Sequence, residues 1–528
     1  MTPAGAATGL DNPATRRDSG HLLAVNTVMA WFSMAGGAVI GFLLTPFLIG
    51  HLGEHVYGLY TLAASVATWS TFIALPLGTY AARYATEHFE RNEGNALDRV
   101  MATSLALGLP AAAVLSLVVL YCAAHARGLF GVPPELEPRA RRAILIVGSA
   151  GVAGIVVRVW EATVFMSRRF YLRSAGDLAA RIVGALCVVG YFSFVGPSMG
   201  VWLALIAGLP LLVTVAIVVP LARRDLPVRL TRLAFDRSEV RRTLPFVGFV
   251  ACSVVGILLF DSTDALVISR LPELGVSHLA AYDIGARWLK LIRTPLESFG
   301  LAMAPALVSM VARNDRDALA REVPARIRHT LLLAMIPIVA LACVASPLVA
   351  HWVGASFVPR SVPVMWMTLA SALLWTPAIY VNRVLIATTR LMPATIGLLF
   401  AGAINLIASI AFVRVAGMGL LGVSAGTLVA TVLWSAFMIG QAADACELSI
   451  GRCAGEALLR PALILPVLAL VGRAITQVWV PRSLIETLGM LAVLGTMFAA
   501  IVVTVGLTGG ERQQLFGEAR RALTAGAK

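Results

Sequence analysis

The sequence predicts an all-α polytopic membrane protein of about fourteen transmembrane helices, in two six-helix lobes plus a C-terminal helix pair. Three observations predict it. Of the 528 residues, 59% are hydrophobic and 13% charged, with a mean hydropathy of +0.84; an ordinary globular domain carries about 25% charged residues. Apolar runs of the length a bilayer requires, about 20 residues, follow one another along nearly the whole chain. The basic residues, finally, fall unevenly between alternate loops. Too few polar residues are present to cover several soluble cores, so a string of soluble domains is excluded.

The elements follow in order. Residues 1–21 form a tail in which Arg16-Arg17 precede an apolar run over 22–49. That run outlasts a signal peptide's h-region of about 7–15 residues, so it is a first span. Further spans are expected at 57–82, 99–122, 142–166, 177–195 and 199–222, closing an N-lobe over 22–222. A basic linker over 223–243 leads to a C-lobe over 244–440, with spans at 244–270, 278–310, 329–350, 361–388, 393–413 and 418–440. Charges interrupt the run at 278–310, but omitting it would put two Arg-rich loops on opposite sides. Spans at 457–479 and 484–507 make the final pair, and 508–528 is a tail.

Forty arginines and two lysines, Lys290 and Lys528, give a net charge of +14. Topology accounts for the excess without nucleic acid, because cytoplasmic loops retain Arg and Lys. With the N-terminus inside, 27 basic residues fall in cytoplasmic segments, nine in outer loops and six within spans. Both termini are therefore expected in the cytoplasm. The six cysteines are scattered without C-x-x-C or zinc spacing and read as small buried hydrophobes.

The chain also repeats itself. Leu52-Gly53 and Tyr60 recur as Leu274-Gly275 and Tyr282, Arg168 as Arg390, and Gly200-Val201 as Gly422-Val423, all at an offset of 222 residues. This aligns spans 1–6 with 7–12. Six spans per copy leave the copies in one orientation, which predicts lobes related by an axis along the membrane normal.

Charges inside a bilayer are costly and mark functional candidates. The densest set lies on the eighth span: Asp283, Arg287, Lys290, Arg293 and Glu297. At 100° per residue they occupy an arc of about 120°, while Trp288, Leu291 and Ile292 point elsewhere. Arg287, Lys290 and Arg293 are the candidates for an anionic substrate. Asp261, Asp264, Asp283 and Glu297 are the candidates for gating or ion coupling. The alternative is a structural ladder, since Asp283–Arg287 and Arg293–Glu297 are i,i+4 pairs. Counting depth from the outer ends of the helices sets Asp261 level with Arg287, and Asp264 level with Asp283. Arg83, Arg158, Glu161 and Arg181 form a cytoplasmic-side group, for which snorkelling or pairing (Arg158 with Glu161, Asp177 with Arg181) competes with function. Gly37-x-x-x-Gly41 has the spacing for close helix packing. No Walker motif, H-E-x-x-H or G-x-S-x-G occurs, and no catalytic or metal cluster is expected.

Several stretches resemble a known family. Leu44 through Tyr60 (LTPFLIGHLGEHVYGLY) is similar to the first-loop signature of Wzx-type polysaccharide flippases, members of the multidrug/oligosaccharidyl-lipid/polysaccharide (MOP) exporter superfamily. Gly78 with Arg83-Tyr84-Ala85 resembles the end of their second helix. Asp261-Ser262-Thr263-Asp264, Leu274-Gly275, Ala281-Tyr282 and Pro305-Ala306-Leu307 resemble the start of their C-terminal lobe, and Asn405 with Gly417, Gly419 and Gly422 their connection of helices 11 and 12. The resemblance implies a multi-pass protein of the bacterial cytoplasmic membrane that flips a polyprenyl-diphosphate-linked oligosaccharide by lobe rocking. It implies no cofactor; coupling to sodium or protons would use Asp261, Asp264 or Asp283. The partners implied are the lipid-linked oligosaccharide, the bilayer and other polysaccharide-assembly proteins. Three alternatives stay open: a multidrug or cation exporter of the same fold, a lipid II flippase, and a membrane-embedded polymerase or acyltransferase. The lipid II reading meets a departure, because the Arg-Asp pair of those flippases is missing from the first span, whose strongly polar residue is Asn26.

Overall fold

A computed structural model describes residues 13–69, 71–224 and 237–513. The expected tails (1–21 and 508–528) and the linker at 223–243 therefore lie partly outside the described residues. Every regular element among them is helical. The first ten helices are α1 (Pro13–Leu52), α2 (Glu54–Thr68), α3 (Thr71–Glu90), α4 (Gly94–Ala124), α5 (Ala126–Phe130), α6 (Glu137–Trp160), α7 (Ala162–Met166), α8 (Phe170–Phe194), α9 (Met199–Arg224) and α10 (Arg237–Asp261). Then come α11 (Asp264–Arg270), α12 (Leu279–Ala302), α13 (Ala304–Ala312), α14 (Arg316–Cys343) and α15 (Ala345–Trp352). The last five are α16 (Val358–Ala387), α17 (Leu391–Arg414), α18 (Gly419–Ala445), α19 (Ile450–Val478) and α20 (Leu484–Ile501). Two compact units divide within α10, at residues 258 and 259.

Twelve helices among the described residues are long and apolar enough to cross a membrane. The runs expected at 57–82 and 278–310 are not among them. The first is split into α2 and α3, and the second breaks at Met303 between α12 and α13, just before Pro305. Span 244–270 also breaks, at Ser262-Thr263 between α10 and α11. Continuous hydropathy hides such breaks, because Ser and Thr barely lower the mean.

The repeat is visible in the backbone. Gly53 and Gly275, 222 residues apart, take φ of 80° and 84°, a region in which a Cβ would clash with the neighbouring carbonyl. Asn92 and Asn314 share the offset at φ 58° and 52°, each ending a helix in the left-handed turn that Asn tolerates. Packing repeats as well. In the first unit α6 packs on α2, α4 and α9, and α8 packs on α9. In the second, α16 packs on α12, α14 and α18, and α17 packs on α18. Each unit is thus built around one central helix, α6 or α16.

Polar side chains secure the turns. Asn26 on α1 donates to the Arg168 carbonyl at 2.9 Å and accepts from the Tyr171 amide at 2.8 Å. It holds the left-handed turn at Arg168, whose φ is 55°. The one strongly polar residue of the first span is therefore a structural clasp. In the second unit the fully buried Asn405 donates to the Phe260 carbonyl at 3.0 Å, next to the α10–α11 break, and accepts from Thr427 at 3.1 Å. That bond satisfies a carbonyl next to the interruption, which matters because an unpaired buried carbonyl costs about 1–3 kcal/mol. Tyr57 and Tyr60, from the signature near residue 50, pack on the buried Trp202 with ring centroids 6.1 and 4.4 Å away.

The small-residue motif works differently from expectation. A Cβ at Gly41 would meet nothing within 4 Å, whereas one at Gly36 would lie 2.5 Å from Leu178 and one at Gly37 3.4 Å from Arg181. Adjacent glycines, rather than the i,i+4 pair, let α1 approach α8.

Candidate functional site

The charged stripe lies on α12, and its neighbours fix which way it faces. Ser361 and Thr368 on α16 donate to the carbonyls of Ala281 and Gly285 at 2.8 and 3.1 Å. A Cβ on Gly285 would sit 2.6 Å from the Ser361 carbonyl oxygen, so α12 lies against α16 at a glycine. Ala281 and Gly285 are on the opposite side of the helix from Asp283, Arg287 and Lys290 by the 100° rule. The part of the polar face around Asp283, Arg287 and Lys290 therefore points away from α16, while Arg293, further along, reaches Trp375 of that helix.

Along that face the charges are largely paired. Arg287 forms an ion pair with Asp283, and its guanidinium lies 5.1 Å from the centroid of the Trp352 ring at the end of α15. Arg293 grips Asp261 with both terminal nitrogens, one bond measuring 2.9 Å, while its Nε lies 3.2 Å from Glu297. Trp375 sits beneath the same guanidinium at 5.0 Å. Tyr282 donates to Asp264 Oδ2, and Asp264 Oδ1 is buried without a hydrogen-bond partner among the described residues. Lys290 is exposed and has no ion pair among the described residues.

The depth count is thereby corrected. Asp261 belongs with Arg293 rather than level with Arg287, whereas Asp264 meets Tyr282, the residue next to Asp283, at about the depth expected. The balance changes too: with Arg383 acting on Glu297, four cations share this region with four carboxylates, whereas the stripe alone carries a positive excess. Of the candidate anion-binding residues, Arg293 pairs with Asp261 and Glu297, and Arg287 pairs with Asp283. Both i,i+4 pairs of the structural alternative form.

The candidates of the first unit gather elsewhere. Glu161, 8% exposed at the junction of α6 and α7, accepts from Arg158 at 2.9 Å and from Arg173 at 2.5 Å. Arg158, Glu161, Arg173 and Arg83 line a cavity of about 440 Å³ together with Gly78, Thr79 and Thr86 of α3. Arg83 is exposed, and its guanidinium lies 5.5 and 5.7 Å from the rings of Tyr84 and Phe246. Arg181 is not in the cavity wall; its stem covers Gly37 of α1. The expected Asp177–Arg181 pair is replaced by Arg173–Asp177, at 3.9 Å. Arg173, Thr79 and Thr86 escaped sequence reading, although Leu75, Thr79, Ala82 and Thr86 fall at the i,i+3/i+4 spacing of one α3 face. No group of three or more His, Cys, Asp or Glu among the described residues could hold a metal ion.

A multi-pass, all-helical protein with buried charge clusters in two repeated units has the fold of the MOP-type membrane proteins. More particularly, the chain belongs to the polysaccharide biosynthesis protein family, whose profile matches residues 57–362. A curated relative is similar at 22% identity over 405 residues: the uncharacterized membrane protein EpsK of Bacillus subtilis (strain 168), with 74% of this chain and 77% of that protein covered. Among solved structures, the lipid II flippase MurJ in an inward closed conformation superposes with a TM-score of 0.66 at 12% identity, over 90% of this chain and 98% of that one. An inward-facing multidrug resistance MATE family transporter of the MOP superfamily gives 0.67 at 13% identity, over 80% and 99%. At these identities the structural likeness shows the fold alone.

Proposed function

We propose that the protein flips a polyprenyl-diphosphate-linked oligosaccharide from the inner to the outer leaflet of the bacterial cytoplasmic membrane, by alternating access and without chemistry of its own. The observation that carries this reading is the polar face of α12. It carries Lys290, exposed and without an ion pair among the described residues, on a helix whose other faces are apolar, so it suits the hydrophilic part of a lipid-borne substrate. Arg287, on the same face, presents planar donors matched to phosphate oxygens. Asp264, with one oxygen buried and unsatisfied, is the strongest candidate for coupling to sodium or a proton, ahead of Asp283 and the arginine-bound Asp261. The direct test is a deletion strain examined for lipid-linked oligosaccharide. Complete repeat units should accumulate on the cytoplasmic leaflet; accumulation on the outer leaflet would instead indicate a polymerase.

One observation favours a second reading. Asp264 is buried with one oxygen lacking a hydrogen-bond partner among the described residues, a carboxylate that an organic cation would neutralise, as an exporter of such cations would require. Efflux of ethidium that depends on Asp264 would establish that reading.

Both termini are assigned to the cytoplasm by the arginine bias. Cysteines introduced at the exposed Glu135 and Ser356 should react with an impermeant thiol reagent from outside the cell. One at Arg237 should react only after permeabilisation, and external labelling there reverses the orientation.

A further inference from the structure

We infer that the cavity between α3, α6 and α7 of the first unit is a binding site for a diphosphate ester. It lies at the end of the unit that the arginine bias assigns to the cytoplasm. The proposal rests on the flippase reading only for the expected source of that ester.

Charge is the first argument. Arg83, Arg158 and Arg173 converge on a space of about 440 Å³ whose lining holds one carboxylate, Glu161; with Asp177 3.9 Å from Arg173, one positive charge, that of Arg83, stays uncompensated. Uncompensated charge in a half-buried membrane cavity is costly, and a bound anion relieves it. The volume falls in the range of small-molecule sites, about 300–1,000 Å³.

Geometry is the second. Glu161 accepts from Arg158 and Arg173 with the same oxygen, Oε2. One buried acid thus draws together two guanidiniums from α6 and α8 and leaves their other N–H groups for a ligand. Glu161 is a positioning residue in this arrangement. Arg83 reaches in from α3 with its charge against two aromatic rings and no ion pair among the described residues, so its donors are uncommitted. Gly78 sets the distance between the walls: a Cβ there would lie 3.2 Å from the Arg158 carbonyl oxygen.

The remaining lining supports an ester rather than a bare ion. The Thr79 and Thr86 hydroxyls donate to backbone carbonyls at 2.8 and 2.7 Å, so they face the cavity as acceptors. Acceptors repel phosphate oxygens but suit the hydroxyls of an attached sugar. Leu75 and Phe165, apolar and exposed at the same cavity, suit an attached hydrocarbon chain. Guanidiniums for phosphate, threonine oxygens for hydroxyls and an apolar margin together describe a membrane-anchored diphosphate sugar.

The full-length protein in phosphatidylcholine nanodiscs provides the test, with farnesyl diphosphate and inorganic pyrophosphate titrated by calorimetry. Both probes should bind the native protein. Arg83→Gln should weaken binding by about tenfold or more, the loss of one charge-assisted contact. Arg83 has no carboxylate partner to strand, so this variant should keep the native melting temperature. Arg173→Lys, which keeps the charge on Glu161, should weaken binding less than Arg83→Gln. Farnesyl diphosphate binding at least tenfold tighter than pyrophosphate assigns the site to a membrane-anchored ester; equal affinities assign it to a soluble one. Failure of both probes to bind the native protein, or unchanged binding by Arg83→Gln, overturns the proposal. Binding is read without transport, so absence of flipping counts against the flippase reading alone and absence of binding against this cavity alone.

Discussion

Arg293→Ala is expected to abolish accumulation of the folded protein in the membrane. Its guanidinium carries the bidentate pair with Asp261, the contact with Glu297 and the stack on Trp375. The paired side chains are only 16% and 11% exposed. Removing the arginine strands Asp261 beside the α10–α11 break, and breaking a buried pair in this way costs about 3–5 kcal/mol. That is a large part of the stability of a typical domain, about 5–15 kcal/mol. The companion substitution separates charge from packing. Asp261→Asn in the Arg293→Ala background removes the stranded charge and should restore much of the abundance, although not the contact with Trp375. Detergent-resistant, monodisperse protein on fluorescence-detected size exclusion is the measurement. An Arg293→Ala protein as abundant as the native one would show that the pair contributes nothing to folding. Arg293 would then return to the list of substrate contacts.

That assignment illustrates what the sequence could reveal. Hydropathy and arginine distribution carried the membrane class, and the 222-residue offset carried the repeat that reappears at Gly53/Gly275 and Asn92/Asn314. These signals are properties of composition and spacing, which survive any detail of packing. Pairing between helices does not. Counting depth along 244–270 as one straight helix sets Asp261 level with Arg287. The chain instead turns at Ser262-Thr263, and the partner lies six residues further along α12, about 9 Å at 1.5 Å per residue. Hydropathy carries no trace of such a break, and Asn405, which satisfies the carbonyl beside it, is distant in sequence. Arg173 was missed for a related reason. It sits just beyond the Arg168 turn, and only the clasp by Asn26 shows how the chain reverses there to bring it onto Glu161.

The polar face of α12 yields the second large effect, on transport rather than folding. Lys290 is exposed and makes no ion pair among the described residues, its charge acting on Asp264 only at longer range, so Lys290→Gln removes a charge without breaking a contact. Its protein should be as abundant as the native one, while transport of the lipid-linked substrate falls by about tenfold or more. One lost charge-assisted contact, about 1.5–3 kcal/mol, is sufficient for that. Arg287 differs because it holds Asp283. That carboxylate is 33% exposed, so solvent partly compensates for its release, and Arg287→Ala should lose less folded protein than Arg293→Ala. Arg287→Lys keeps the pair and the charge but not the planar fork, and should recover only part of the transport. The order of effects is what discriminates. A binding face predicts Lys290→Gln and Arg287→Ala abundant but slow, with Arg293→Ala scarce. A purely structural ladder predicts loss of abundance in proportion to burial, with Lys290→Gln fully active. Full transport by abundant Lys290→Gln protein would remove α12 from the substrate path and leave its charges as packing.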